Sequence, residues 1–245
     1  MKSYAILLAA LFQVFGSSAP MAFNWGQSIS EQSAEASSII TPPGYAFSIW
    51  GPIFLACFIY GLYAVKNRNK LPDIVDKVGW LSVAMFVTCG AWGLWVPFNG
   101  TDIVSFIIIS AGAALGMRIM YIIGSPKKYS NVEKGTVVFP LSLLAGWLIT
   151  ATTVSVLGTA NYHNITLVNT DAFTTVLPLL LVLISLVMLT LYKTKNYFYA
   201  LAPVWGLGTL SLEKLMMGEV NLGVAAAAGA LLILVTGVCF LVKKS

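Results

Sequence analysis

Residues 79–98 read GWLSVAMFVTCGAWGLWVPF and contain no Asp, Glu, Lys or Arg. A helix needs roughly 20 apolar residues, at about 1.5 Å each, to cross about 30 Å of hydrocarbon. This stretch therefore has the length and chemistry of a membrane span. Working outward, the same test returns seven more candidates: about 4–23, 46–65, 102–123, 136–158, 172–192, 197–213 and 219–241. The weakest is 197–213, which is short and ends at Glu213-Lys214. The composition agrees. Of 245 residues, 58% are hydrophobic and 9% charged, against about 25% charged in a soluble domain. Too few charges exist to clothe a water-facing surface, which excludes a soluble globular enzyme. The net charge of +5 comes from scattered lysines and arginines without a basic patch, which argues against nucleic acid. The expected fold is all-α, a polytopic transmembrane helical bundle of about eight spans, with the lipid bilayer as its surroundings.

Eight spans also sort the charges. Lys2, Lys66, Arg68, Lys70, Lys77, Lys127, Lys128, Lys134, Lys193, Lys195, Lys243 and Lys244 fall on one side, and Arg118 lies near that end of its helix. Lys214 alone is opposite. The positive-inside rule then places both termini in the cytoplasm. Lys2 followed by YAILLAALFQVF and small residues also reads as a signal peptide, but the apolar stretch continues through PMAFNW, which favours a retained helix.

Ordinary catalytic constellations are missing from the sequence. His163 is the single histidine, and one histidine without partners builds no zinc site. Cys57, Cys89 and Cys239 all fall inside predicted spans and read as packing residues. No GxSxG, Walker loop or GxGxxG opens a helix. No acid sits in the middle of a span, which argues against a proton-driven pump. Asn164-Ile165-Thr166 forms a glycosylation sequon on the predicted outer side.

Aromatic residues and prolines carry the remaining signal. TPPGYAFSIWGP, residues 41–52, opens the second span. Pro42 and Pro43 fix the chain's approach and Gly44 permits a close turn. Tyr45, Phe47 and Trp50 follow, the last two spaced to share a helical face. Trp92 and Trp95 end the third span with the same spacing. The fifth span reads FPLSLLAGWLITATT over 139–153, with Trp147 roughly mid-span among small and hydroxyl residues. Such hydroxyls bond back to their own backbone or across helices. An interfacial aromatic belt accounts for Trp25 and Trp95 and can accommodate Trp50 and Trp92. It fits Trp147 poorly, so core packing and an aromatic ligand pocket both stay open. In the last three spans, Tyr197, Phe198, Tyr199 and Trp205 read as interface anchors. Gly208 and the Gly223 to Gly229 stretch suit close helix packing or a homodimer face.

TPPGYAFSIWGPIF, GAWGLW and FPLSLLAGWLITATT together resemble the TspO/translocator-protein family, the tryptophan-rich sensory proteins. The order and spacing of the three blocks match, most closely those of the longer TspO-related members. The resemblance covers about residues 1–163, a five-helix membrane bundle, and leaves 164–245 as a three-helix extension. Departures are visible. Where compact members carry Asn before the third-helix Trp, this chain has Cys89. Where they carry Asn late in the fifth helix, it has a residue near Ser155.

The resemblance implies a cavity below the loop joining the first two spans, taking a planar hydrophobic ligand such as a porphyrin, haem or a sterol. By that analogy Trp50, Trp92 and Trp147 line the pocket, Tyr45 and Phe47 stand at its mouth, and Pro42, Pro43 and Gly44 shape a lid. A tetrapyrrole would be a ligand rather than a required cofactor, and the protein a sensor or regulator rather than an enzyme. Light-dependent porphyrin breakdown is the one catalytic activity the family suggests. The alternative is a small multi-pass transporter of a hydrophobic solute. It draws on Pro52, Pro140, Pro178 and Pro203, which resemble the interrupted helices of carriers.

Overall fold

The computed structural model describes residues 1–165 and 173–243. Thr166 of the sequon and Lys244 lie outside them. The long helices are α1 (Lys2–Ala22), α3 (Trp50–Lys66), α4 (Asp73–Asn99), α5 (Ile103–Ile123), α7 (Phe139–Tyr162), α8 (Phe173–Thr194), α9 (Leu201–Met216) and α10 (Val220–Val242). Two short helices, α2 (Ile29–Glu35) and α6 (Asn131–Glu133), lie between them. Among the described residues every regular element is helical, and seven helical segments are long and apolar enough to cross a membrane. The protein is an integral, multi-pass membrane protein. The weak candidate 197–213 corresponds to α9, whose 16 residues are short for a full crossing. It continues from a 3-10 turn, Tyr197–Ala200, so the helical path runs from residue 197 to 216.

Local chemistry sets the helix ends. Asp102 opens α5 by accepting from the Ser105 N–H at 2.8 Å, and Gly124 closes it with φ of 63°, the left-handed turn that glycine adopts without strain. Asp73 and Asp76 begin α4, where carboxylates complement the positive end of the helix dipole. That helix therefore starts several residues before the apolar run at 79. Lys2 pairs with Asp76 at 2.5 Å, the one ion pair among the described residues.

The prolines interrupt less than the carrier analogy expects. Pro52 and Pro203 each lie at the start of α3 and α9, just after the 3-10 turns Gly44–Ile49 and Tyr197–Ala200, where the helix changes its hydrogen-bond pattern. Pro140 follows a π turn, Lys134–Val138, which rewinds the helix ahead of the proline ring. Of those four, only Pro178 lies inside its helix.

Helix α1 packs against α3 and α4. Gly16 and Gly90 meet there so closely that a Cβ on Gly16 would strike the Gly90 carbonyl. Lipid tails are as apolar as leucine, so such close packing, rather than hydrophobic burial, holds membrane helices together. Helix α7 is the centre of the molecule. It touches α3 and α5 on one side and α8 and α9 on the other, and α10 packs outside α8 and α9. Every residue from Pro140 to Thr150 is buried. The hydrophobic core runs from Ile6 in α1 through Trp147 to Ile233 in α10. Gly223 and Gly229 do pack closely, against Leu215 and Ile184, whereas Gly208 faces open space.

Candidate functional site: an aromatic cleft beneath a helical lid

The segment that opens the second span builds the site. Pro43, with φ −59° and ψ 154°, leads into a 3-10 turn over Gly44–Ile49. A 3-10 turn repeats every three residues and aligns positions i and i+3, so Phe47 and Trp50 point the same way. Both reach Trp147. The Phe47 ring lies 6.4 Å from it at 87°, and Trp50 lies 6.0 Å from it at 88°. Trp50 also stands 6.2 Å from Trp92 and stacks on Phe54 at 5.1 Å. These separations fall in the range where edge-to-face and offset ring pairs attract. Five aromatic side chains from three helices and one turn thus form one cluster.

Beside the cluster lies a cleft lined by Phe47, Trp92, Trp147, Pro42, Thr150 and Ser155, among others. Its volume is about 50 Å³, room for only a few waters. The wall is largely apolar. Thr150 turns its hydroxyl back to the Gly146 carbonyl at 2.9 Å, so that group is already satisfied. The indole N–H groups of Trp50 and Trp147 are buried and meet no acceptor among the described residues. The amide of Asn196, by contrast, crosses between helices to the Ser142 hydroxyl at 2.8 Å.

Helix α2 roofs the cleft through Ile29, Ser33 and Ala36, the last just beyond its end. A capping box starts it. The Ser28 hydroxyl accepts from the Glu31 N–H, and the Glu31 carboxylate accepts from the Ser28 N–H at 2.7 Å. That backbone hydrogen bond holds the Glu31 carboxyl below its ordinary value of 4.5. No residue within α2 is buried. Two bonds anchor the surrounding loop: Asn161 donates to the Ser37 carbonyl at 2.7 Å, and the Trp205 indole donates to the Ala46 carbonyl at 2.9 Å.

An outer groove of about 240 Å³ adjoins the cleft and shares Ser33, Thr41, Pro42 and Phe47 with it. Pro43, Gly44 and the end of α9 complete it, with Glu213 and Lys214. Lys214 is only 9% exposed, and its ammonium rests 3.9 Å from the Met217 sulfur.

The candidate residues therefore divide. Trp50, Trp92, Trp147 and Phe47 come together; Phe47, Trp92, Trp147 and Pro42 line the cleft, whereas Trp50, expected there, contacts the cluster without forming part of the wall. Pro43 and Gly44 shape the outer groove instead. Tyr45 is 55% exposed and stands outside the cluster. Trp92 and Trp95 do not share a role: Trp92 joins the cluster, while the Trp95 indole donates to Asp102 at 2.9 Å. Of the two positions where the resemblance expects Asn, Ser155 lines the cleft and Cys89 is buried away from it. Sequence reasoning missed the lid helix and Lys214. The lid had a signal, the Ser28-x-x-Glu31 capping box. Lys214 had one too, as the lone base opposite the charged side. Among the described residues, no three His, Cys, Asp or Glu side chains converge as a metal site would require.

No curated protein and no solved structure matches the chain. A family model described as TSPO-like protein matches residues 3–240. That match extends past the residue-level resemblance, which ends near 163, and takes in the C-terminal helices. The order and spacing of the aromatic blocks and the extent of this match agree, and the chain belongs to the TSPO-like protein family.

Proposed function

We propose that the protein binds a planar, mainly apolar ligand with an anionic edge, of the tetrapyrrole class, and acts as a membrane sensor or regulator. The observation that carries this reading is the convergence of Trp50, Trp92, Trp147 and Phe47 in one ring cluster, three of which, Phe47, Trp92 and Trp147, line the cleft. Rigid aromatic rings give a flat ligand large contact area at little entropic cost. The cleft is closed at about 50 Å³, far below the roughly 300–1,000 Å³ of small-molecule sites. Binding therefore requires Phe47 to swing away and α2 to lift. The lid can do so without breaking the core, since it buries none of its residues. Lys214 would meet a ligand carboxylate from the outer groove, which favours a tetrapyrrole over a sterol. The Trp205 to Ala46 bond couples the lid segment to α9, giving occupancy a route to the C-terminal helices. On the charge split we place the lid on the non-cytoplasmic side.

The test is a titration of the purified protein in detergent, following tryptophan quenching. The probes are a dicarboxylate porphyrin and its dimethyl ester, in the dark and in light. Saturable micromolar binding is expected, weakened about fivefold or more by Trp50→Phe and by Trp147→Phe, as loss of a stacking partner implies. Lys214→Gln should weaken the acid and leave the ester unchanged. Quenching indifferent to both tryptophan substitutions would sink the pocket. Saturable ligand flux in vesicles would move the carrier reading to first place. Product formed only in light would make the protein an enzyme.

A further inference from the structure

At the end of the bundle opposite the lid, α5, α8 and α10 terminate side by side around an open crevice of about 730 Å³. Its walls carry Lys127, Lys128, Lys193, Lys195 and Lys243, and no acid among the described residues. The positive-inside rule explains why lysines lie on this side. It does not explain why five of them, from three separate segments of the chain, surround one space.

Two further features distinguish the crevice. None of the five lysines pairs with a carboxylate among the described residues, where the one ion pair is Lys2 with Asp76. Lys128 also borders a neighbouring crevice that holds Asp73 and Glu133, but makes no ion pair with either. The Lys127 ammonium donates to the Lys243 backbone carbonyl, which ties the α5 end to the α10 end. The second feature is backbone. Three described non-glycine residues have positive φ: Asn24, Asn164 and Lys195. Asparagine tolerates the left-handed region; lysine does not share that tolerance. Lys195 closes α8 at φ 54°, where glycine or asparagine would be less strained. Strain kept at a site of uncompensated charge points to use of that charge.

We infer that this crevice binds the headgroup of an anionic phospholipid carrying two phosphates. The crevice lies where three helices leave the apolar region, the depth of lipid headgroups. Tyr121 and Phe240 line it with the lysines, giving apolar wall for the glycerol and first methylenes. The exposed Val238, Leu241 and Val242 continue α10 toward the acyl chains. Five cations in so wide a space exceed what one phosphate needs, and basic pockets between transmembrane helices are suited to such headgroups. A lipid held here would clamp α5, α8 and α10 together at their ends.

The experiment is native mass spectrometry of the full chain released from detergent, titrated with short-chain diphosphatidylglycerol. Phosphatidylcholine and inorganic pyrophosphate are the comparison probes. One bound diphosphatidylglycerol is expected, in preference to phosphatidylcholine, with pyrophosphate at least about tenfold weaker because it lacks the apolar contacts. Each lysine removed should weaken binding about fivefold. The Lys128→Gln/Lys193→Gln variant should thus lose well over tenfold. Lys66→Gln/Lys70→Gln, on the same side but outside the crevice, should lose less than about twofold. Lys195→Gly keeps the test independent of folding. It relieves the left-handed backbone while removing a charge, so the melting temperature should hold or rise as lipid affinity falls. Equal loss in the Lys66/Lys70 variant would show general surface attraction and overturn the site. So would no preference over phosphatidylcholine, or unchanged affinity in Lys195→Gly. Pyrophosphate binding as tightly as the lipid would make the ligand a soluble anion and overturn the lipid assignment.

Discussion

Helices α7 and α10 have nearly the same length, 24 and 23 residues. Both would pass any hydropathy test for a membrane span, and α10 is the more apolar. Yet 78% of the most apolar stretch containing α7 is buried in protein, against 22% for α10. The less apolar helix is the interior one. In α10 the buried residues form a single stripe, Leu222, Gly223, Ala226, Gly229, Ile233 and Gly237, and most of the rest is exposed. In α7 the buried set covers every face and includes Ser142, Thr150 and Trp147. Lipid already solvates apolar side chains, so burial goes to helices whose small and hydroxyl residues fit closely against neighbours.

The largest effect that would test this contrast is Trp147→Ala. Removing the buried ring should cost about 3 kcal/mol, read as a fall in thermal stability in detergent. An unchanged melt would mean that α7 is not the centre of the bundle. Next is Gly146→Val. A Cβ there would lie 2.5 Å from the Tyr199 carbonyl oxygen, so overpacking of about 2 kcal/mol is expected. Gly208→Ala meets nothing within 4 Å and should be neutral or slightly stabilising in the same assay.

A matched pair of threonines sharpens the comparison further. Thr150 in α7 and Thr236 in α10 each donate to the carbonyl four residues back, at 2.9 and 2.8 Å. Thr150→Val should cost about 1 kcal/mol or less, because the buried Gly146 carbonyl loses a donor. Thr236→Val, on a half-buried position, should cost less than Thr150→Val; equal losses would remove the distinction between the helices. A small effect is also expected for Leu231→Ala on the exposed face of α10, within about 0.5 kcal/mol. A larger loss would place a partner, such as a second copy of the chain, on that face.

The candidate site shows the same boundary between what residues state and what packing decides. Phe47 and Trp50 share a side because the 3-10 turn that joins them aligns positions three apart. The same spacing misleads for Trp92 and Trp95. Positions i and i+3 are offset around an α-helix, and only the neighbours determine which residue turns inward. Trp205 reads as an interface anchor along its own helix. Its bond to the Ala46 carbonyl joins residues 159 positions apart, a pairing no local pattern contains. The lid helix was signalled by its capping box, but its seven residues are too few for local propensity to settle.

By itself the sequence determined the membrane class, the approximate limits of the spans, the side on which the lysines gather and the aromatic blocks that mark the family. Each of these rests on a contrast between apolar segment and charged loop that water and lipid impose directly. Only the tertiary structure decided that α7 is central and α10 peripheral, that three rings of one aromatic cluster line one cleft, and that five lysines ring one crevice. The physical reason is that protein interior and hydrocarbon are alike in polarity, so hydropathy cannot tell a buried helix face from a lipid-facing one. Shape complementarity between distant segments makes that choice.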